Sequence, residues 1–185
     1  MYRNEGKQPL RPSFFSLRAA KRQENEPPSL FGVLSTNGDD WSNFRKAVQA
    51  PVMRKSYTDK HLEHVETISH EFLSYLDAKD NLDNFNEDIY KWALESIASI
   101  ALDVRLQCFS ENVDDDVVKM IRSVQGVLEL GKKLDLGLRL WEWFPSKDYK
   151  LFHQHYTTFK QAATKYVAGA SLTNNGKSMI SDLKR

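Results

Sequence analysis

The stretch EDIYKWALESIASIALDVRL, residues 87–106, decides the fold class. On a helix of 3.6 residues per turn, Ile89, Trp92, Ala93, Leu94, Ile97, Ala98, Ile100, Ala101, Leu102 and Val104 surround nearly the full circumference. A helix apolar on all sides belongs at the centre of a protein, covered by neighbours. No stretch of the chain alternates apolar and polar residues with the period of two that a half-buried strand requires. The class predicted is all-α.

Working outward, the helical period continues on both sides. Before it, a helix is expected from about Asp39 to Ala50, with Asp39 and Asp40 suited to the N-terminal dipole and Pro51 as its stop. A second follows Thr58 and carries Leu62, Val65, Ile68, Phe72, Leu73 and Leu76 as one stripe. After it, a fourth begins behind the acidic run Asp114–Asp116 and continues to about Leu130, where Gly131 and Gly137 interrupt the pattern. A fifth spans roughly Lys147 to Val167. Residues 1–36 read as loop, punctuated by Pro9, Pro12, Pro27, Pro28 and Gly32. From Gly169 the period vanishes into a polar tail. About five helices result, and a centre buried all round needs more partners than four amphipathic helices supply. The pattern suggests one portion of a larger domain.

Composition narrows the function classes. The 185 residues include 26 Lys+Arg and 25 Asp+Glu, a net charge of +1 that argues against a nucleic-acid footprint. The one cysteine, Cys108, has no partner for an intrachain disulfide, so a reducing compartment is the default. No apolar run approaches the roughly 20 residues of a membrane span. Residues 1–22 carry six cations against Glu5, a composition similar to a transit peptide, although Pro9 and Pro12 break any amphipathic helix there.

The residues with most chemistry are Trp41 and Arg45, spaced i, i+4 and so on one helix face. Indole offers one donor and guanidinium five, with no acceptor between them. Such a pair suits a carboxylate or phosphate, or else simply stacks as a cation–π pair without a ligand. His61 and His64 lie i, i+3 with His70 beyond, but no zinc signature surrounds them, and a solvated helix face is expected. His153 and His155, two apart, point differently. Cys108, in RLQCFSENV, has no activating cation cluster and is expected to be structural. There is no glycine-rich phosphate loop and no nucleophile elbow. The segment LGLRLWEWF (136–144) reads as core, as a lid grazing a membrane or as a substrate wall.

Three stretches then carry a resemblance: YRNEGKQPLRPSFFSL (2–17), GVLSTNGDDWSNFRKAVQAPVMRK (32–55) and IYKWALESIASIALDVRLQCF (89–109). In that order they resemble the N-terminal half of cytochrome P-450 proteins, most of all the mitochondrial class of animals and its insect-like members. The resemblance covers nearly all of residues 2–168 and leaves 169–185 as a divergent tail, so it implies residues 1–168 as the N-terminal part of such a domain. It implies a haem cofactor whose propionate takes hydrogen bonds from Trp41 and Arg45. It implies that the loop before their helix, Leu30, Phe31, Val33 and Leu34, lines a pocket for a lipophilic substrate. It further implies a ferredoxin-type electron donor, a mitochondrial location on the matrix side of the inner membrane, and peripheral membrane contact through 136–144.

The chain also departs from the family pattern. The cysteine loop that supplies the axial thiolate, the helix that handles dioxygen and the Glu-x-x-Arg pair are not found in residues 1–185, and Cys108 does not fit the loop. A fragment of a haem-dependent monooxygenase, inactive alone, is therefore expected, with no catalytic residue and no metal ligand assigned. The other reading is a non-catalytic all-helical interaction or lipid-binding module.

Overall fold

The computed structural model describes residues 14–27, 32–53 and 55–173. In chain order the helices are α1 (Phe15–Gln23), α2 (Gly38–Val52), α3 (Lys55–Asp77), α4 (Phe85–Leu102), α5 (Asp115–Leu136) and α6 (Lys147–Thr173), with a 3-10 helix at Arg139–Glu142 between α5 and α6. Among the described residues there is no strand, and the all-α class holds. The chain divides into two compact units. One comprises residues 1–49 and 123–157, the other 50–122 and 158–185.

In the second unit α3 and α4 pair around a buried carboxylate. Asp88, 1% exposed, accepts hydrogen bonds from the Tyr75 hydroxyl at 2.8 Å and from Lys79 Nζ at 2.6 and 2.7 Å. Above it Phe72 stacks on Trp92 with ring centroids 6.1 Å apart. The indole N–H of Trp92 donates to Ser69 Oγ at 3.3 Å. The core proper gathers Ala98, Leu106, Cys108, Val117, Met120, Ile121 and Ala162.

Helix α4 stops at Leu102 because Asp103 takes a left-handed conformation, φ 56°. Its N–H and that of Val104 turn back to Ser99 O and Ala98 O, a Schellman-type end that releases residues 103–109 as a loop. Glu95 organises that loop. Its fully buried carboxylate accepts from the backbone N–H of Leu106 (3.1 Å) and of Cys108 (3.0 Å) and from Arg105 Nε (2.7 Å). Burial would push this carboxyl up, but Arg105 and the Cys108 N–H more than offset it and hold the group below its ordinary value.

Helix α4 is therefore not apolar inside and out, as its sequence suggests. Its buried residues are Asp88, Glu95, Ala98 and Ser99, while Ile97 is 55% exposed. The stripe on α3 also narrows: Ile68 and Phe72 are buried, Leu62 and Leu73 exposed. His61, expected on a solvated face, is buried and meets His64 edge-on.

The first unit contains the largest departure from the expected loops. Helix α1 lies where prolines had read as irregular chain. Its last turn carries Lys21 and Arg22, matched to the C-terminal dipole. Its start is capped from far away in sequence: the Ser16 N–H donates to Asp135 Oδ1 of α5 at 2.8 Å. Tyr149 and Tyr156 of α6 donate to Gln23 at 3.3 Å and to Glu26 at 2.6 Å. These contacts surround a core of Ala20, Leu134, Trp141, Tyr149, Phe152 and Tyr156. Neither glycine in α5 breaks it. A Cβ at Gly126 would overlap the His155 ring, and one at Gly131 would press on Phe152 at 3.3 Å, so both let α6 approach closely. Helix α6 runs to Thr173, past the point where the periodic pattern fades, and α2 ends at Val52, one residue beyond Pro51.

Replacing Glu95 should test the second unit. Glu95→Ala leaves the N–H groups of Leu106 and Cys108 without their acceptor and Arg105 with Glu71 alone, and is expected to lower the unfolding free energy by about 3 kcal/mol in urea melts. A depressed carboxyl stabilises above its ordinary value of 4.5 and loses that contribution as pH falls below it. Acid titration should therefore show a stability loss in that range that is smaller in Glu95→Ala, where Asp88 alone of the two buried carboxylates remains.

Candidate functional site

Helix α2 presents Trp41 and Arg45 one turn apart. The helix forms because Asp39 and Asp40 occupy its first turn and Gly38, at φ 66°, lets the chain enter it. Trp41 is half-buried, with its indole nitrogen shielded from solvent. Arg45 is exposed, and its Nε donates to Gln49 Oε1 at 3.1 Å. That bond steadies the guanidinium along the helix and engages only one of its five donors. Trp41 and Arg45 share one face of α2, and of the two only the guanidinium is open to solvent, where its remaining donors suit a carboxylate such as a haem propionate. Phe44, at the edge of exposure, lies on the adjoining position.

The loop before α2 is placed in part. Val33 is half-buried and Leu34 exposed, while Leu30 and Phe31 lie outside the described residues. Ser35 is sealed, 1% exposed, in the turn that leads into the helix.

Cys108 is enclosed in the second unit's core, its N–H bound to Glu95. Burial first, and the adjacent Glu95 carboxylate second, push its thiol far above the ordinary range. It has none of the features of an axial iron ligand, which must be a thiolate facing a cofactor. Among the described residues no group of three or more His, Cys, Asp or Glu is placed to hold a metal.

The 136–144 segment divides. Trp141 is buried, stacks on Tyr149 at 4.8 Å and donates to Leu134 O at 3.0 Å. Leu138 and Trp143 are 86% and 82% exposed, and Leu136, Leu140 and Phe144 are exposed with them. The segment is thus core at one residue and an open apolar surface at the others. Among the described residues no helix is long and apolar enough to cross a membrane.

Two cavities border α1, and the sequence reading missed both. One, of about 580 Å3, includes Arg18, Arg22, Glu26, Ser35 and Asp40 in its wall. The other, of about 490 Å3, is bounded by aromatic and arginine side chains from α1, the 3-10 helix and the start of α6. The available signal was Arg18 and Arg22 at i, i+4, hidden because the segment read as loop.

Comparison with known proteins places these features in a family. The family model described as Cytochrome P-450 matches residues 7–177. A probable cytochrome P-450 301a1, mitochondrial, of Drosophila melanogaster is 32% identical over 179 residues, which are 92% of this chain and 32% of that protein. Cytochrome P-450 12b1, mitochondrial, of Drosophila acanthoptera is 30% identical over 175 residues, 90% of this chain and 33% of that one. The sterol 26-hydroxylase, mitochondrial, of Oryctolagus cuniculus is 25% identical over 129 residues, 66% and 24% of the two chains. The chain spans about a third of the length of the insect relatives it matches.

If Cys108 is a packing residue, a maleimide should leave it unmodified in the native chain at pH 8 and label it fully in denaturant. The native rate is expected to be slower by about two orders of magnitude or more.

Proposed function

The chain belongs to the cytochrome P-450 family, and on that premise we propose that it forms the haem-propionate side of a mitochondrial-type monooxygenase. The observation that carries this reading is the Trp41–Arg45 pair, a shielded indole and an exposed guanidinium one turn apart on α2. Trp41 and Arg45 hydrogen-bond a propionate and so fix the edge of the porphyrin. Val33 and Leu34, with Leu30 and Phe31 before them, border the space of a lipophilic substrate. Bound haem supplies the dioxygen chemistry by which one oxygen atom enters the substrate, with electrons from a ferredoxin-type donor. The residues here bind and orient, and none is assigned to proton or electron transfer.

Residues 1–185 are not expected to carry that oxidation alone. The axial ligand in the family is a thiolate, and Cys108 is a buried thiol bound into a core. The mitochondrial names of the relatives favour the inner membrane, matrix side, for this chain. The exposed apolar side chains of 136–144, with Trp143 among them, suit a peripheral contact with its surface. The same surface favours the second reading, a lipid-binding helical module without catalysis.

In a haem-loaded polypeptide that contains this chain, Arg45→Ala is expected to weaken haem retention by about 1.5–3 kcal/mol, the range for a hydrogen bond to a charged group. Unchanged haem content and an unchanged Soret band in that variant would remove the propionate role. Residues 1–185 mixed with haem, reduced and exposed to carbon monoxide, should give no thiolate-type absorption band. The appearance of one would show that Cys108 can leave its core and ligate iron.

A further inference from the structure

Among the described residues Arg45 has one side-chain partner. Its Nε–H donates to Oε1 of Gln49, one turn further along α2, at 3.1 Å. A guanidinium can clasp a carboxylate along either of two edges, the side that contains Nε or the end formed by Nη1 and Nη2. With Nε–H already donated, the side edge cannot supply two parallel bonds. The end edge is left, and Gln49 selects it.

The chemistry of the partner matters as much as its reach. The positions that flank Arg45 at three and four residues are Trp41, Ser42, Val48 and Gln49, none of them charged. A neutral amide therefore holds the side chain without cancelling its charge, and the full attraction for an anion is kept. A carboxylate at position 49 would hold Nε as well, but it would neutralise the guanidinium and repel an anionic ligand. An apolar side chain there would leave the charge intact and the long arginine stem free to rotate, a freedom that binding must then remove.

We propose that Gln49 is a positioning residue for the haem site, orienting Arg45 so that its Nη1–Nη2 end, charge uncancelled, is the edge offered to a propionate. The inference rests on the propionate role of Arg45 proposed above and deepens it.

The test compares Gln49→Met, Gln49→Glu and Arg45→Ala in a haem-loaded polypeptide that contains this chain. Haem loss is read from the Soret band while an excess of a haem-scavenging globin captures what is released. Gln49→Met keeps the length and the helix propensity but removes the acceptor, and should lose haem about twofold faster than the natural sequence. Gln49→Glu keeps the acceptor but cancels the charge, and should lose haem about fivefold faster at low ionic strength, an excess that shrinks in 1 M salt. Because Gln49 acts through Arg45, Gln49→Met should add nothing in the Arg45→Ala background. In the 185-residue chain without haem, hydrogen exchange at Arg45 Nε, followed by NMR, should be at least about twofold faster in Gln49→Met.

Unaltered exchange at Nε would overturn the proposal, as would natural haem retention in Gln49→Met. So would a Gln49→Met effect that persists in full beside Arg45→Ala, which is what a merely structural part in α2 gives, or a Gln49→Glu effect indifferent to salt. Haem loss in Arg45→Ala without any in Gln49→Met removes this inference alone. Full haem retention in Arg45→Ala removes the propionate role and this inference with it.

Discussion

A carboxylate that leaves water must find donors inside the protein, and three carboxylates set the structure of this chain by doing so. Asp135 reaches the N–H of Ser16 in the first turn of α1 across 119 residues of sequence. Glu95 gathers the backbone of Leu106 and Cys108 together with Arg105. Asp88 binds Tyr75 and Lys79 and so registers α4 against α3. Each joins segments that hydrophobic contact alone would leave free to slide, because burial is non-directional and hydrogen bonds are not. Asp135 shows the cost of this arrangement: burial pushes its carboxyl up, and the Ser16 N–H recovers only part of the loss.

The cavities beside α1 stand on those tethers. Arg18 and Arg22 share a face beside the aromatic wall because α1 is a helix, and α1 is a nine-residue helix between prolines that isolated propensity would not hold. Asp135 caps its start, and Tyr149 and Tyr156 hold the residues at and beyond its end through Gln23 and Glu26. The pair proposed to bind a propionate needs less support. Asp39, Asp40 and Gly38 are local signals, and i, i+4 spacing on any helix brings Trp41 and Arg45 together. That is why the pair was legible from residues 37–55, while the arginines of α1 were not.

Burial was harder to read than periodicity. In residues 87–106 the many apolar positions suggest a helix covered on every side, yet the folded α4 turns Asp88, Glu95 and Ser99 inward and leaves Ile97 in the open. A periodic pattern reports which residues share a face. It does not report which face a neighbour occupies when a polar residue inside an apolar run is itself the anchor. The 136–144 segment is similar: nothing local distinguishes Trp141, which finds Leu134 O and Tyr149, from Trp143, which finds neither.

The amino-acid sequence by itself determined the all-α class, the existence of five of the six helices with ends off by as much as six residues, the Trp41–Arg45 pair and the family, because each depends on spacing along the chain. The fold alone decided that α1 exists, that His61 and Glu95 are buried, that Cys108 is locked into a core, and that two arginines border an aromatic cavity. Those outcomes need partners supplied from distant residues. A hydrogen bond or a cavity wall made that way leaves no periodic trace in the sequence that encodes it.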